Sequence, residues 1–336
     1  MVSPRISLIV PTLNRARLLR QTLESLVAQQ GAEGEYEILV IDNGSTDGTA
    51  EVVLELQRRH RGAELYYLYE SVPGLLSGRH RGAIAARGEI LHFLDDDIIA
   101  DPLLVASVAR DFTADVSLAC GPSLPKFEVE PGHEVLSLFT HGPDIVQCGA
   151  ISCGYYGASP KRIDPNLAWG LNFIIRRSVL WELGGFHPDS MPQALQAYQG
   201  DGETGLSLKA RNMGLQAAYL PTASVLHVIP KDRLTRSSLG KRWFYQGVCD
   251  SYTDVREAGA PGVSTSRNLH SPHDSSFTSF LQRAYVSGYQ FHQSRVSTSR
   301  TLHSWVVRER YDDYALPRLE SGISTGPTPD ELKTWT

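Results

Sequence analysis

The sequence predicts an α/β protein built on a mostly parallel sheet flanked by helices, and three observations carry that prediction. Short apolar runs alternate with amphipathic stretches through the first 120 residues. Acidic residues directly follow two of those runs, at Asp42 and at Asp95, Asp96 and Asp97. Between them lie loops dense in turn and cap residues, such as "DNGSTDGT". Strand and helix in strict alternation cover both faces of a sheet whose strands run parallel.

Each element follows from its own pattern. Residues 6–10, Ile-Ser-Leu-Ile-Val, read as a buried strand that Pro11 ends. Leu18, Leu19, Leu23 and Leu26 then recur at helical spacing. Residues 37–41 make a second strand, and the cap-rich loop after it opens a helix that runs to Arg59. A strand at 65–68, a helix at 75–87 and a strand at 90–94 complete the series. Parallel sheets place ligands outside the carboxyl ends of their strands. Asp42 and the aspartate triplet both fall there, so a shared cleft is expected.

Composition narrows the function. With 336 residues, 41% hydrophobic and 21% charged, the chain can bury one large core or a core and a smaller subdomain. The formal charge is -5 and the lysines and arginines are scattered, which excludes the basic footprint of a nucleic-acid binder. The apolar stretch before Pro11 is too short for a secretory leader, and no run is long enough to span a bilayer. Four irregularly spaced cysteines make neither a disulfide framework nor a zinc site. The expected location is the cytoplasm, with peripheral membrane association left open. No internal repeat is present.

The triplet poses a physical problem. Adjacent carboxylates repel one another, and nearby positive charge relieves the repulsion. Capping of a following helix is one explanation; a divalent cation is the other. Mg2+ or Mn2+ held by one or two carboxylates completes its shell with water and substrate phosphates, so Asp-x-Asp at a strand end points to a metal–diphosphate site. All-helical terpene synthases also carry aspartate-rich runs, but the strand pattern rules them out. A phosphatase would place the pair on the first strand, with Thr or Val where Ile99 stands.

"ISLIVPTLNR", "EILVIDNGSTDGT" and "GLLSGRHRGAIAARGEILHFLDDD" occur in an order and spacing that resemble the inverting glycosyltransferases of family 2, with their GT-A fold. The resemblance covers roughly residues 5–247. It implies a metal-dependent enzyme, using Mn2+ or Mg2+, that moves a sugar from a nucleotide-diphosphate donor to an acceptor hydroxyl. Pro11, Thr12, Asn14 and Arg15 would form the loop where the nucleotide rests. Asp42 stands where the family recognises the base, and a carboxylate can accept the N3–H of uracil or thymine, which suggests a UDP- or dTDP-linked donor. An Asx-turn is the alternative for Asp42. Asn43 replaces a frequent second Asp.

In "SGRHRG", Arg79 matches the residue that faces the diphosphate, and Gly82 and Ala86 are small enough for close packing on the sheet. His80 departs from the usual Asn, and Arg81 reads as a solvated position. The family's Asp-x-Asp falls on Asp95 and Asp97. Asp97 would bind the metal, and Asp95 the ribose or a metal-bound water. Asp96 belongs to the donor group, though its side chain is free to point elsewhere.

The second half would bind the acceptor, whether a glycan, a lipid-linked saccharide or a small molecule. "WGLNFIIRRSVLWELGGF" reads as a strand and then a helix ending at Gly184 and Gly185. Asn172 is expected to face the cleft; Trp169 stacks on a sugar or belongs to the core. "YQGDGETGLSLKARNMGL" departs from the family's Gly-Glu-Asp. Helix alignment puts Glu203 at the general-base position, with Asp201 as the alternative; plain capping is the structural explanation. His227 matches a histidine near the metal in related enzymes, and a purely structural role is equally open. "RLTRSSLGKRWFYQG" reads as a helix whose basic side is solvated, or closes over the diphosphate.

The expected division is a nucleotide-sugar-binding half at 1–120, an acceptor and base half at 121–250, and a linker, helical extension and tail at 251–336. The linker is the breaker-rich 261–276, and helices are expected at 277–295 and 302–314. This extension would cover the acceptor or build a homo-oligomer. Two other readings compete. A sugar nucleotidyltransferase needs a glycine-rich loop after the first strand, and "PTLNRARLL" has no glycine. A non-catalytic nucleotide- or glycan-binding module is kept open by the altered "GDGETG".

Overall fold

The computed structural model describes residues 4–263 and 266–335. Residues 1–3, Ser264 and Thr265 within the predicted linker, and Thr336 at the end of the predicted tail lie outside the described residues.

The first half alternates as expected: β1 (Ile6–Thr12), α1 (Ala16–Val27), β2 (Tyr36–Asp42), α2 (Thr49–Arg59), β3 (Leu65–Tyr69), α3 (Leu75–Ala85) and β4 (Ile90–Leu94). A stretch of short elements follows, β5 (Ile98–Ala100), α4 (Leu104–Asp111), β6 (Leu118–Cys120), β7 (Ser123–Phe127), α5 (His133–Leu136), β8 (Thr140–His141), β9 (Val146–Cys148), β10 (Cys153–Tyr155) and β11 (Lys161–Ile163). Then come β12 (Asn172–Arg176), α6 (Arg177–Glu182), α7 (Glu203–Asn212), β13 (Ala217–Tyr219) and β14 (Val225–Ile229). The helices α8 (Arg236–Ala258), α9 (Phe277–Thr298), α10 (Arg300–Val307) and α11 (Pro329–Leu332) close the chain.

The main sheet has the order β11-β13-β6-β12-β4-β1-β2-β3. Its half from β4 to β3 is entirely parallel. β12 enters antiparallel between β4 and β6, which makes the whole sheet mixed. Every residue of β1 and of β4 is buried, which is why these strands are mostly apolar on both faces rather than alternating apolar and charged. Leu8 and Val10 join one core with α1, α2 and α4, while Ile9 joins a second core on the opposite face. A Cβ at Gly82 would lie 2.3 Å from Ile9 Cγ2, so α3 rests directly on β1 as the small residues predicted.

A smaller sheet, β5-β14-β7-β10-β9-β8, sits at the carboxyl ends of these strands. Its pairing of β14 with β5 sets His227 opposite Ile98, one residue past the triplet.

Residues beyond Gly247 pack into the same core as Phe93 and Phe186. The helix predicted over 302–314 ends at Val307, where Arg308 turns extended. The chain turns there because Tyr311 dives inward: fully buried, its hydroxyl donates to the Trp305 carbonyl at 2.8 Å and meets the Tyr252 hydroxyl. The end is docked too, with the Trp335 ring 4.2 Å from that of Phe244. The apolar faces of the C-terminal helices are thus used against the chain's own core. No helix among the described residues is long and apolar enough to cross a membrane.

Candidate active site

The carboxyl ends of the parallel strands open into a cleft of about 390 Å³. Pro11, Thr12 and Arg15 form one wall, the aspartate triplet the floor, and Arg79, Gly170 and Glu203 the opposite side.

The triplet's charge is distributed among named partners. Asp96 accepts hydrogen bonds from the Thr12 hydroxyl and Arg15 Nη1, each at 2.7 Å. The same Arg15 nitrogen lies 2.7 Å from Asp97 Oδ2, and Arg233 is 3.7 Å from that oxygen. Burial works against the charge on Asp97, yet Arg15 and Arg233, joined by His227 when its ring carries a second proton, hold it below the usual carboxylate range. Asp95, by contrast, lines the cleft with no side-chain hydrogen bond among the described residues. Burial and the neighbouring Asp97 charge push it up. Asp96 is also raised, by burial first, with Arg15 opposing.

His227 is placed by the second sheet. Its Nδ1 lies 2.7 Å from the Ile151 carbonyl and donates to it, a tautomer assigned from that partner. Nε2 then faces Asp97 Oδ1 at 3.4 Å, and among the described residues that buried oxygen has no hydrogen-bond partner. Two lone pairs opposed in a buried site call for a proton or a cation between them. A carboxylate and an imidazole are a fitting pair for Mn2+, whereas Mg2+ favours oxygen ligands alone. No group of three His, Cys, Asp or Glu side chains is gathered among the described residues. Any cation held here would therefore take the rest of its shell from donor phosphates and water.

Glu203 opens α7 and accepts hydrogen bonds from the Gly170 amide at 2.9 Å and from Arg79 at 3.1 Å. Its side chain is 21% exposed, toward the cleft. Burial alone would raise its pKa, but the Arg79 charge and the Gly170 amide outweigh it and hold Glu203 below its ordinary value. A side chain at position 170 would collide with both partners: a Cβ there would be 2.2 Å from Arg79 Nη2 and 2.9 Å from the Glu203 carboxylate. Arg79 itself is buried and lies 4.9 Å over the Phe186 ring.

Several expected site residues are placed elsewhere. Asp201, the alternative base, is turned inward, accepting from His187 Nδ1 at 2.7 Å and the Thr253 hydroxyl at 2.8 Å. Asn172 does not face the cleft. It is 1% exposed, its amide NH2 donates to the Ala223 and Pro122 carbonyls, and its oxygen meets His92 Nε2 at 2.7 Å. These bonds occupy it in tying β12 to its neighbours. Trp169 is half-buried beside Gly154, outside the lining of the cleft. Asp42 is 2% exposed, accepting from the Ser45 amide and the Tyr67 hydroxyl, each at 2.7 Å; its neighbour Asn43 reaches the cleft instead. Asn14 sits at φ 54° on the exposed rim, where its side-chain oxygen accepts from the Thr46 amide. His80 is buried and its Nε2 accepts from the Phe186 amide.

The cleft also contains residues that sequence reasoning missed. Asp189 accepts from the Ser190 amide and Gln199 Nε2, and is raised by burial and by Glu203. Nothing in "FHPDSMP" sets it apart from an ordinary turn. Arg233, Arg242 and Tyr245, in the segment read as solvated or closing over the diphosphate, line the cleft as well; the basic side of α8 and the turn before it is therefore turned partly inward. Their alternation with aromatics was the available sign.

Comparisons with known proteins agree with this architecture. The model for glycosyl transferase family 2 matches residues 7–184, more than half of the chain. The validoxylamine A glucosyltransferase of Streptomyces hygroscopicus subsp. jinggangensis is 31% identical over 207 residues, covering 55% of this chain and 48% of its own length. The GalNAc(5)-diNAcBac-PP-undecaprenol beta-1,3-glucosyltransferase of Campylobacter jejuni is 35% identical over 94 residues, covering 28% and 30%. The chain thus spans about half, or less, of the length of these curated relatives. Among solved structures, the mannosyltransferase PcManGT of Pyrobaculum calidifontis, in complex with GDP-Man and Mn2+, superposes with a TM-score of 0.52 at 17% identity, covering 89% of this chain and 76% of that one. The likeness is one of fold, a GT-A-like α/β architecture. This chain belongs to glycosyl transferase family 2.

Proposed function

We propose that the chain is a metal-dependent inverting glycosyltransferase, moving a sugar from a nucleotide-diphosphate donor to an acceptor hydroxyl by single displacement. One observation carries the reading: Asp97, whose orphaned Oδ1 faces His227 behind it, lines the same cleft as a solvent-reachable carboxylate, Glu203, on the opposite wall. Asp97 and His227 would hold the cation, with Asp95 oriented toward the ribose or a bound water. When bound, the cation would supply electrostatic stabilisation to the leaving diphosphate.

The chain's own residues do the rest. Glu203, kept ionised by Arg79, takes the proton of the acceptor hydroxyl as its oxygen bonds to the anomeric carbon. The bond to the diphosphate breaks on the opposite face, and its electron pair leaves with the nucleotide. No covalent sugar intermediate is needed, so one base suffices. Arg15, Arg233 and Arg242 surround the leaving group with positive charge. Asn43 lines the cleft beside the enclosed Asp42, and uridine and thymidine donors, suggested by the family's base-recognising position, are the first to try.

The test is turnover of UDP-, dTDP- and GDP-sugars, read as release of the nucleoside diphosphate with Mn2+ and with a chelator. Release from one donor class that chelation abolishes supports the reading; release unaffected by chelation removes the metal from it.

A further inference from the structure

A second cavity, of about 520 Å³, lies along the face of α8 next to the one that lines the donor cleft. Its size is within the range of about 300–1,000 Å³ usual for small-molecule sites. Arg242 lines both spaces, so the two adjoin at that side chain. Helical spacing explains the division: Tyr245 and Cys249 face the cleft, while Trp243, Gln246 and Asp250 face the cavity.

The cavity's polar wall is held in place. Asp250 accepts from Gln246 Nε2, the Tyr285 hydroxyl and Arg267 Nη1, each at 2.8 Å. The helices that carry these groups touch backbone to backbone. A Cβ at Gly247 would be 2.0 Å from the Tyr285 carbonyl oxygen, and one at Gly288 would be 1.9 Å from that of Phe244. Other groups are left open. Among the described residues Arg242 makes no hydrogen bond or ion pair, and neither the Trp243 indole N–H nor the Gln246 side-chain oxygen has a hydrogen-bond partner. An aromatic ring beside fixed donors and acceptors is the chemistry that recognises a hydroxyl-rich ring: the ring covers its C–H face, and the polar groups meet its hydroxyls.

We propose that this cavity is the acceptor site, taking a saccharide or cyclic polyol whose reacting hydroxyl passes Arg242 to reach Glu203. The assignment rests on the glycosyltransferase reading above, and extends it by naming the acceptor class and the C-terminal helices as its receptor.

Gly149 gives a clean probe, since a Cβ there would meet nothing within 4 Å and the residue lines the cavity. The experiment is saturation-transfer NMR of the intact protein with glucose, maltose and myo-inositol, on wild type, Gly149→Trp and, should that variant fail to fold, Gln246→Ala. UDP and dTDP binding with Mn2+ is measured on the same samples. At least one hydroxyl-rich probe should bind wild type and lose affinity by at least about tenfold in the variants through steric exclusion or a lost partner, with diphosphate binding unchanged. Probes that bind all three proteins equally, or none that binds wild type, would overturn the assignment. Failure of the donor reading is seen separately, as absence of metal-dependent diphosphate binding in wild type.

Discussion

Glu203 and Asp201 are two residues apart, yet one ends in the cleft and the other in the interior. Asp201 has both oxygens occupied by His187 and Thr253, whereas Glu203 keeps an exposed edge. Glu203→Gln should therefore lower transfer by about 10²–10⁴-fold, the usual contribution of a positioned base, without weakening diphosphate binding. Asp201→Asn should instead lower the melting temperature, by disturbing a buried hydrogen-bonded pair worth about 1–3 kcal/mol. Full transfer activity in Glu203→Gln would remove it from the chemistry. Arg79 sets the pH behaviour of this carboxylate. It holds the Glu203 pKa down, so in wild type the ionised form persists as pH falls below the ordinary carboxylate range. Arg79→Met should raise that pKa and move the acid limb of kcat/KM to higher pH; an unmoved limb would show that the pair does not couple. Asp97 and Glu203 could be singled out in the sequence because three adjacent carboxylates need a compensating charge and because helix alignment with the family motif marks position 203; the structure puts both on the cleft lining. Asp189 could not be singled out, since a carboxylate in a proline-bordered turn looks like any other.

At the scale of elements, the alternating half was legible because its strands are buried on both faces and its helices are amphipathic. Strands of two or three residues, such as β8 and β9, are too short to display a period. The smaller sheet was consequently invisible in the sequence, although it is what brings His227 to Asp97. The stop of α10 was missed for another reason: Tyr311 leaves the helix to fill a core position built from distant residues. The α3–β1 contact makes a direct test of packing. Gly82→Ala would place a methyl 2.3 Å from Ile9 Cγ2, and overpacking of this kind costs about 1–3 kcal/mol. A lower melting temperature is expected, and an unchanged one would mean that α3 can shift outward freely.

Taken whole, the molecule buries several neutral histidines that the cleft does not use. Burial pulls His80 and His292 down to about 3 and His92 to about 4, and lowers His187 despite Asp201. Each folded value lies below the unfolded value of about 6.5. The unfolded chain therefore takes up protons first as the pH drops, and stability is lost progressively below about 6.5 toward those folded values. Denaturant midpoints measured from pH 8 down to pH 5 should fall, most steeply below pH 6.5; a flat profile would contradict the assigned burial. The sequence shows eleven histidines but not which of them the C-terminal helices cover, because that depends on the docking of residues 277–335 onto the first core.

Those helices complete the molecule, but the central claim is local: a nucleoside diphosphate is held through a cation at Asp97 and His227. The most direct measurement is a thermal-shift panel of UDP, dTDP, GDP and ADP, each with Mn2+ and with a chelator, on wild type and Asp97→Asn. A ligand at about 100 times its Kd adds about 2.7 kcal/mol to the folded state, a readily measured shift. One diphosphate should stabilise wild type only with Mn2+, and should fail with Asp97→Asn. Stabilisation that survives both the chelator and the substitution, or none with any nucleotide, would contradict the claim.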